Sequence, residues 1–379
     1  MSESGNMRAR SRFFTRAAKI MCALAVWSFA SAAAPPGTLR PINHVFVIVL
    51  ENQDYSSIYS PGTRAPYLGL ELPKIGVLLT NYYAIGHNSL DNYVAMISGQ
   101  PPAPQTSEDC STFTEFVKSG PDTSLGTAVG DGCVYPAGVM TLANQLEQHG
   151  LTWRGYMEDM GNDPAREAST CAHPAIGGPG VPKATRTDAY AYRHNPFIYF
   201  HGIIDNQANC DANVVNFDGL ANNLADEHAT PNFVFITPNV CNDGHDSPCK
   251  DGRPGGLVSA DLWLQTWVPK IVASPAFRKD GLLIITFDES DDDDSACCQE
   301  PPGSQGQPPG VNGPGGGKVG AILISRFIKP GTTSDISINH YGLLRGIEDV
   351  FGLPYLGYAG APDLATFTPL LDAGSSVRP

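Results

Sequence analysis

The sequence predicts an α/β fold with a mostly parallel central sheet flanked by helices, on three observations. Two runs, Val45-Phe46-Val47-Ile48-Val49-Leu50 and Leu282-Leu283-Ile284-Ile285-Thr286-Phe287, are almost continuously apolar, as strands covered on both faces are. Each run stops abruptly in acid, at Glu51-Asn52 and at Asp288-Glu289. Open parallel sheets bind ligands beyond the carboxyl ends of their strands, so these acids are placed to meet there as hard metal ligands, although polar residues also begin ordinary loops. Helical spacing appears in two other stretches, Leu90-Tyr93-Val94-Ile97 and Leu344-Ile347-Phe351, the latter sharing its face with His340.

The first 34 residues read as a secretory signal peptide: basic residues from Arg8 to Lys19, an apolar segment Ile20 to Phe29, then Ala30-Ser31-Ala32 and prolines. That apolar segment is short for a membrane span, so no stable membrane anchor is expected. Residues 35–379 read as a single catalytic domain with no internal repeat. Removing the leader takes five bases and one acid from totals of 24 and 38, leaving a net charge of about −18. Such acidity argues against nucleic acid as a partner. Eight cysteines remain after Cys22 is set aside, an even number that reads as disulfides in an exported chain, with Cys241 and Cys249 the suggested pair. The expected location is the periplasm or the medium.

Along the chain, Gly76 to Tyr83 reads as a second strand. Ser89 then opens the helix carrying Leu90 to Ile97 and has two readings. As an N-cap it bonds the early amides, with Asn92 three residues on; as a nucleophile it has its alkoxide stabilised by those same amides. The segment alone favours the cap. Residues 101–136 read as a disulfide-tied surface excursion, Met140 to His149 as a helix, Leu151 to Met157 as a strand, and His194 as either a loop residue or a substrate contact. Phe233-Val234-Phe235-Ile236 reads as a strand leading to Asp243-Gly244-His245-Asp246, which suits a ligand cluster as well as a turn. Val258 to Val272 reads as a helix kinked or stopped near Pro269, and Val319 to Ser325 as the last strand. The acid run Asp291 to Asp294 reads as a solvated loop or a calcium site.

Six spaced stretches together resemble the secreted phosphoesterase family of acid phosphatases and, more distantly, phospholipases C, within the alkaline phosphatase superfamily. They are HVFVIVLENQ from His44, HNSLDNYVAMISG from His87, HNPF from His194, PNVCNDGHD from Pro238, IITFDESD from Ile284 and HYGLLRGIED from His340. The resemblance covers almost the whole mature chain and implies an alkaline phosphatase-like fold with disulfide-tied insertions. It implies one or two divalent metal ions, the first held by Glu51, Asn52, Ser89, Asp288 and Glu289. Asp243, His245, Asp246 and His340 are implied on the other side of the site, as ligands of a second metal or as phosphate contacts. It gives His87, Asn92 and His194 to the phosphate and Ser89 the role of nucleophile. The chain departs from related sequences at Asn88, Asp91 and Glu289.

The implied reaction is hydrolysis of a small phosphate ester, most simply a monoester. Ser89 attacks in line, a phosphoseryl intermediate forms, and water releases phosphate with overall retention at phosphorus. A phospholipase C-type diesterase is the nearest alternative. An exported acidic calcium-binding or adhesion module without turnover is the alternative of another class.

Overall fold

Every residue of strand β1 (His44–Leu50) is buried, because the strand lies inside a sheet and is bonded on both edges by parallel neighbours. The computed structural model describes residues 42–307 and 314–371; the expected leader lies outside these residues. The other strands of the eight-stranded sheet are β2 (Val77–Leu79), β3 (Trp153–Met157), β4 (Val214–Asn216), β5 (Phe233–Thr237), β6 (Gly281–Phe287), β7 (Ala321–Ser325) and β8 (Thr332–Ser334). Their order across the sheet is β8-β2-β7-β6-β1-β5-β3-β4. Only β7 runs against its neighbours β2 and β6; every other adjacent pair is parallel. The mostly parallel sheet expected from the apolar runs is therefore present.

The stretch read as one strand from Gly76 to Tyr83 is two. Val77–Leu79 joins the main sheet, while Tyr82–Tyr83 pairs with Ile338–Asn339 in a separate two-stranded sheet. The longer helices include α1 (Ser89–Ser98), α2 (Leu142–Gln148), α3 (Gly256–Ala273) and α4 (His340–Phe351). Helix α2 starts on a capping box between Thr141 and Asn144. Helix α3 runs through Pro269 to Ala273, where a kink or stop was expected. The proline lies one turn from the end and removes a single amide donor, while Trp263 and Trp267 of the preceding turns pack on Phe217, with ring centroids 5.4 and 4.5 Å away. Asn339 caps α4 by accepting from the Gly342 amide at 3.1 Å.

Four disulfides form: Cys110–Cys133, Cys171–Cys210, Cys241–Cys249 and the adjacent pair Cys297–Cys298. The pairing suggested for Cys241 and Cys249 is the observed one. Among the described residues no helix is long and apolar enough to cross a membrane.

Candidate active site

Sheet register brings the first acids together. β1 and β6 are paired residue for residue up to Leu50 and Phe287, so Glu51 and Asp288 are the next step on adjacent parallel strands. The Asp288 amide still donates to Leu50 O at 2.9 Å, and the Glu51 amide donates to Asp243 O at 2.9 Å. Three acids from the ends of β1, β5 and β6 thus converge at the carboxyl edge of the sheet. Asn52 turns the chain with φ 51°, a left-handed conformation that asparagine tolerates, and its amide donates to Asp288 Oδ1 at 3.2 Å.

Glu51 is the centre of the hydrogen bonding. Its Oε2 accepts from Ser89 Oγ at 3.0 Å and its Oε1 from the Tyr93 hydroxyl at 2.5 Å. Ser89 and Tyr93 are one helical turn apart on α1, so both reach the same carboxylate. The Tyr93 ring also stacks on His194, with centroids 5.5 Å apart and planes inclined by 3°. His194 Nδ1 lies 3.1 Å from Asp243 Oδ2, and its Nε2 lies 3.3 Å from Glu51 Oε2 without hydrogen-bond alignment. Burial, then the charges of Arg193 and His245, hold this imidazole well below its usual pKa. Neutral His194 therefore donates from Nδ1 to Asp243 and keeps a lone pair on Nε2 facing Glu51.

Ser89 does not act as an N-cap. The cap position is Asn88, whose side chain makes no capping bond and instead donates to Ser107 O, and Ser89 is the first helical residue. The Leu90 amide is satisfied from outside the helix by Asp109 Oδ1 at 3.0 Å, next to the Cys110–Cys133 bridge. The 101–136 segment is accordingly more than a surface excursion, since part of it is buried and completes the start of α1. With its hydroxyl free of the helix, Ser89 is available to Glu51.

Other residues named from the sequence are placed differently. Asn92 accepts from the Ile85 and Gly86 amides (2.9 and 3.1 Å) and donates to Gly86 O and Asn88 O (2.9 and 3.0 Å). These four bonds use its whole hydrogen-bonding capacity, so it shapes the loop before Ser89 and has nothing left for phosphate. His340 is also spent. Its Nε2 faces the Asp288 carbonyl at 2.6 Å, so that nitrogen carries the proton, and its Nδ1 accepts from the Tyr82 hydroxyl at 2.9 Å. Burial lowers its pKa to about 4, and it props the Asp288 backbone with no free lone pair for a metal.

His245 and Asp246 are placed outside the converging group of Glu51, His194 and Asp243. Gly244, at φ 108°, reverses the chain between Asp243 and His245. Arg193 Nη2 can only donate, so it takes the His245 Nε2 lone pair at 2.9 Å, and His245 Nδ1 then donates to Asp246 Oδ1 at 2.9 Å. His87 has Nε2 3.0 Å from Asp294 Oδ1 without hydrogen-bond alignment, and that is the acid partner the structure gives it.

The acid run is largely engaged in its own loop. The amides of Asp291 and Asp292 both donate to Asp54 Oδ1, and Asp293 accepts from the Ser295 and Lys318 amides. The calcium reading is unsupported by this arrangement, because among the described residues the run contributes to no group of three converging ligands.

The electrostatics favour a cation. Glu51, Asp243, Asp288 and Glu289 are all buried. Burial is the largest cause raising each carboxyl above its usual range; Asp288 and Asp243 add to it at Glu51, Asp288 adds to it at Glu289, and Asp288 itself reaches about 7. Asn52 Oδ1, Asp288 Oδ2, Glu289 Oε2 and His194 Nε2 are buried without a hydrogen-bond partner. Crowded acids with unpartnered oxygens match the oxygen-rich donor set of a hard divalent ion. One atom each of Glu51, His194 and Asp243 lies within 4.8 Å of the others, a group that can hold a metal. Tyr93, Arg193 and Asp109 belong to this site and were not singled out from the sequence. Tyr93 was discoverable as the residue one turn after Ser89, whereas Asp109 arrives through the disulfide-tied segment and Arg193 through long-range packing.

A buried serine at a helix start, facing acids at the carboxyl edge of a mostly parallel sheet, defines the class: an α/β protein with a candidate site for metal-assisted ester chemistry. The chain belongs to the Phosphoesterase family, whose family model matches residues 63–354. It is 28% identical over 313 residues to the phosphate-repressible acid phosphatase of Penicillium chrysogenum, covering 82% of this chain and 59% of that one. It is 26% identical over 318 residues to a probable acid phosphatase of Kluyveromyces lactis, with the same coverage of the two chains. This chain thus spans about three fifths of those fungal relatives. It is 23% identical over 366 residues to the phosphatidylinositol-3-phosphatase of Mycobacterium tuberculosis, covering 93% and 95%. Among solved structures, a protein in the alkaline phosphatase superfamily from Vibrio parahaemolyticus matches with a TM-score of 0.48 and 13% identity, over 83% of this chain and 68% of that one.

Proposed function

We propose that this chain is an exported, metal-dependent phosphoric ester hydrolase of the acid phosphatase kind, acting on small phosphomonoesters through Ser89. The observation that carries the proposal is the Ser89 hydroxyl at the start of α1, uncommitted to the helix and 3.0 Å from buried Glu51. The family and the names of the relatives support the reaction class. The basic and apolar leader pattern and the four disulfides support export.

Glu51, Asn52, Asp288 and Glu289 would hold the divalent ion with Ser89, and His194 and Asp243 flank Glu51 on the side of β5. When bound, the cation offsets phosphate charge and lowers the pKa of the serine hydroxyl. Ser89 Oγ attacks phosphorus, its proton passing toward Glu51 Oε2, and the bond to the leaving alcohol breaks as that oxygen takes up a proton from solvent water. Tyr93 keeps Glu51 in place by donating to its other oxygen. Water then attacks the phosphoserine, the P–Oγ bond breaks as Ser89 Oγ takes back the proton passed to Glu51, and the unprotonated Nε2 of His194 is the nearby acceptor for the water proton.

The test is phosphate release from a monoester and a bis-ester by wild type and Ser89→Ala, with metal content measured on the same preparations. Wild type should prefer the monoester, and the variant should lose roughly a thousandfold or more in activity with metal still bound. Near-full activity in Ser89→Ala would sink the proposal.

A further inference from the structure

We propose that the cleft formed by Lys183, Lys250 and Arg193 is a second anion subsite, so that the preferred substrates are phosphomonoesters carrying a second phosphate. This rests on the phosphoesterase reading above. The cleft, of about 450 Å³, is also lined by Tyr190, Val240 and Asp246. Ligand-sized pockets begin at about 300 Å³, so the space suits a small organic phosphate rather than a lone ion.

Its charge is out of keeping with the chain, in which acids outnumber bases 38 to 24. Several other bases are committed to acids, as in Lys74–Glu71, Lys118–Asp122, Lys279–Glu227 and Arg253–Asp251. Lys183 and Lys250 stand exposed at the cleft and, among the described residues, form no ion pair. Arg193 is nearly buried between the cleft and the catalytic residues: Nη2 donates to His245 and Nε lies 3.5 Å from Asp109 Oδ2. Asp246, the acid among these bases, accepts a hydrogen bond from His245.

The cleft is joined to the nucleophile by an unbroken series of contacts. Arg193 bonds His245, the His245 amide donates to Asp243 at 2.8 Å, Asp243 meets His194, and His194 lies against Glu51 beside Ser89. Arg193 both lines the cleft and touches this network, so the second phosphate of a substrate is placed on the lysine side of Arg193. A simple aryl or alkyl monophosphate leaves that cleft unused, whereas a sugar or polyol bisphosphate fills it.

The experiment compares kcat/KM for a hexose bisphosphate and the corresponding monophosphate in metal-loaded wild type and in Lys183→Ala/Lys250→Ala. Wild type should prefer the bisphosphate by about tenfold or more, and the double variant should bring the ratio to about one. Both lysines are exposed, and Lys183→Glu/Lys250→Glu, which should invert the preference, guards against a fold defect in one variant. Equal use of both esters by wild type, or a preference that survives both double variants, overturns the subsite. Calorimetric binding of the bisphosphate to Ser89→Ala, with and without the lysines, separates the two claims. Lysine-dependent binding, together with a metal-loaded wild type that releases no phosphate from any ester, upholds the cleft and refutes the hydrolase; wild-type turnover without lysine dependence does the reverse.

Discussion

Replacing Tyr93 by Phe removes one oxygen atom and leaves the ring that stacks on His194. What disappears is the 2.5 Å hydrogen bond to Glu51 Oε1, inside a site where that carboxylate is fully buried and surrounded by other acids. A hydrogen bond to a charged group contributes about 1.5 to 3 kcal/mol, and stripping it leaves a buried oxygen unpartnered. Outer residues that orient metal ligands typically change affinity or activity by about ten- to a hundredfold, the same range. Tyr93→Phe should therefore raise the metal concentration for half-maximal phosphate release by about ten- to a hundredfold, with helix content unchanged. The assay is a titration of metal-stripped wild type and variant, followed by phosphate release and circular dichroism. An unchanged midpoint together with unchanged kcat/KM would show that Tyr93 merely packs, and the account of Glu51 positioning would be wrong.

Two other outcomes are expected. Burial raises Asp288 to about 7 from a usual value near 3.8, so the metal-free protein has a stability contribution that is full below about pH 4 and lost as pH rises through about 7. Urea unfolding should find metal-stripped protein weaker at pH 8 than at pH 5, with a saturating divalent ion removing most of the difference; equal pH dependence with and without metal contradicts the cation site. Asn92→Ala should cost about 2 to 4 kcal/mol in unfolding free energy and lower kcat more than it raises KM, because it loosens the loop before Ser89 rather than a phosphate contact. A pure KM effect would return Asn92 to the phosphate.

The parts of the fold legible in the sequence were those written in local periodicity. The apolar runs of β1 and β6, the acids at their ends and the helical spacing after Ser89 and His340 each reflect burial of a contiguous segment. Short strands such as β4 and β8 carry too few apolar residues to announce themselves; Thr332-Thr333-Ser334 pairs because β2 lies alongside. At the site, sequence could nominate residue types but not count their commitments. His340, His245 and Asn92 are all suited to ligation, yet Tyr82, Arg193 and the 85–88 loop consume their hydrogen-bonding atoms. Such partners lie up to 258 residues away along the chain and have no local signature. The Ser89 ambiguity was of the same kind, since Asp109, near in sequence but brought in by a disulfide-tied segment, is what relieves it of the capping role.

The most direct test of the central claim is to quench turnover of a phosphomonoester with acid and locate the phosphoryl group by peptide mass spectrometry. One phosphoryl group on the peptide containing Ser89, absent from Ser89→Ala and lost on chase with unlabelled substrate, is the predicted result. Rapid phosphate release with no phosphoryl group trapped on Ser89, accompanied by inversion at a chiral phosphorus, would contradict the account.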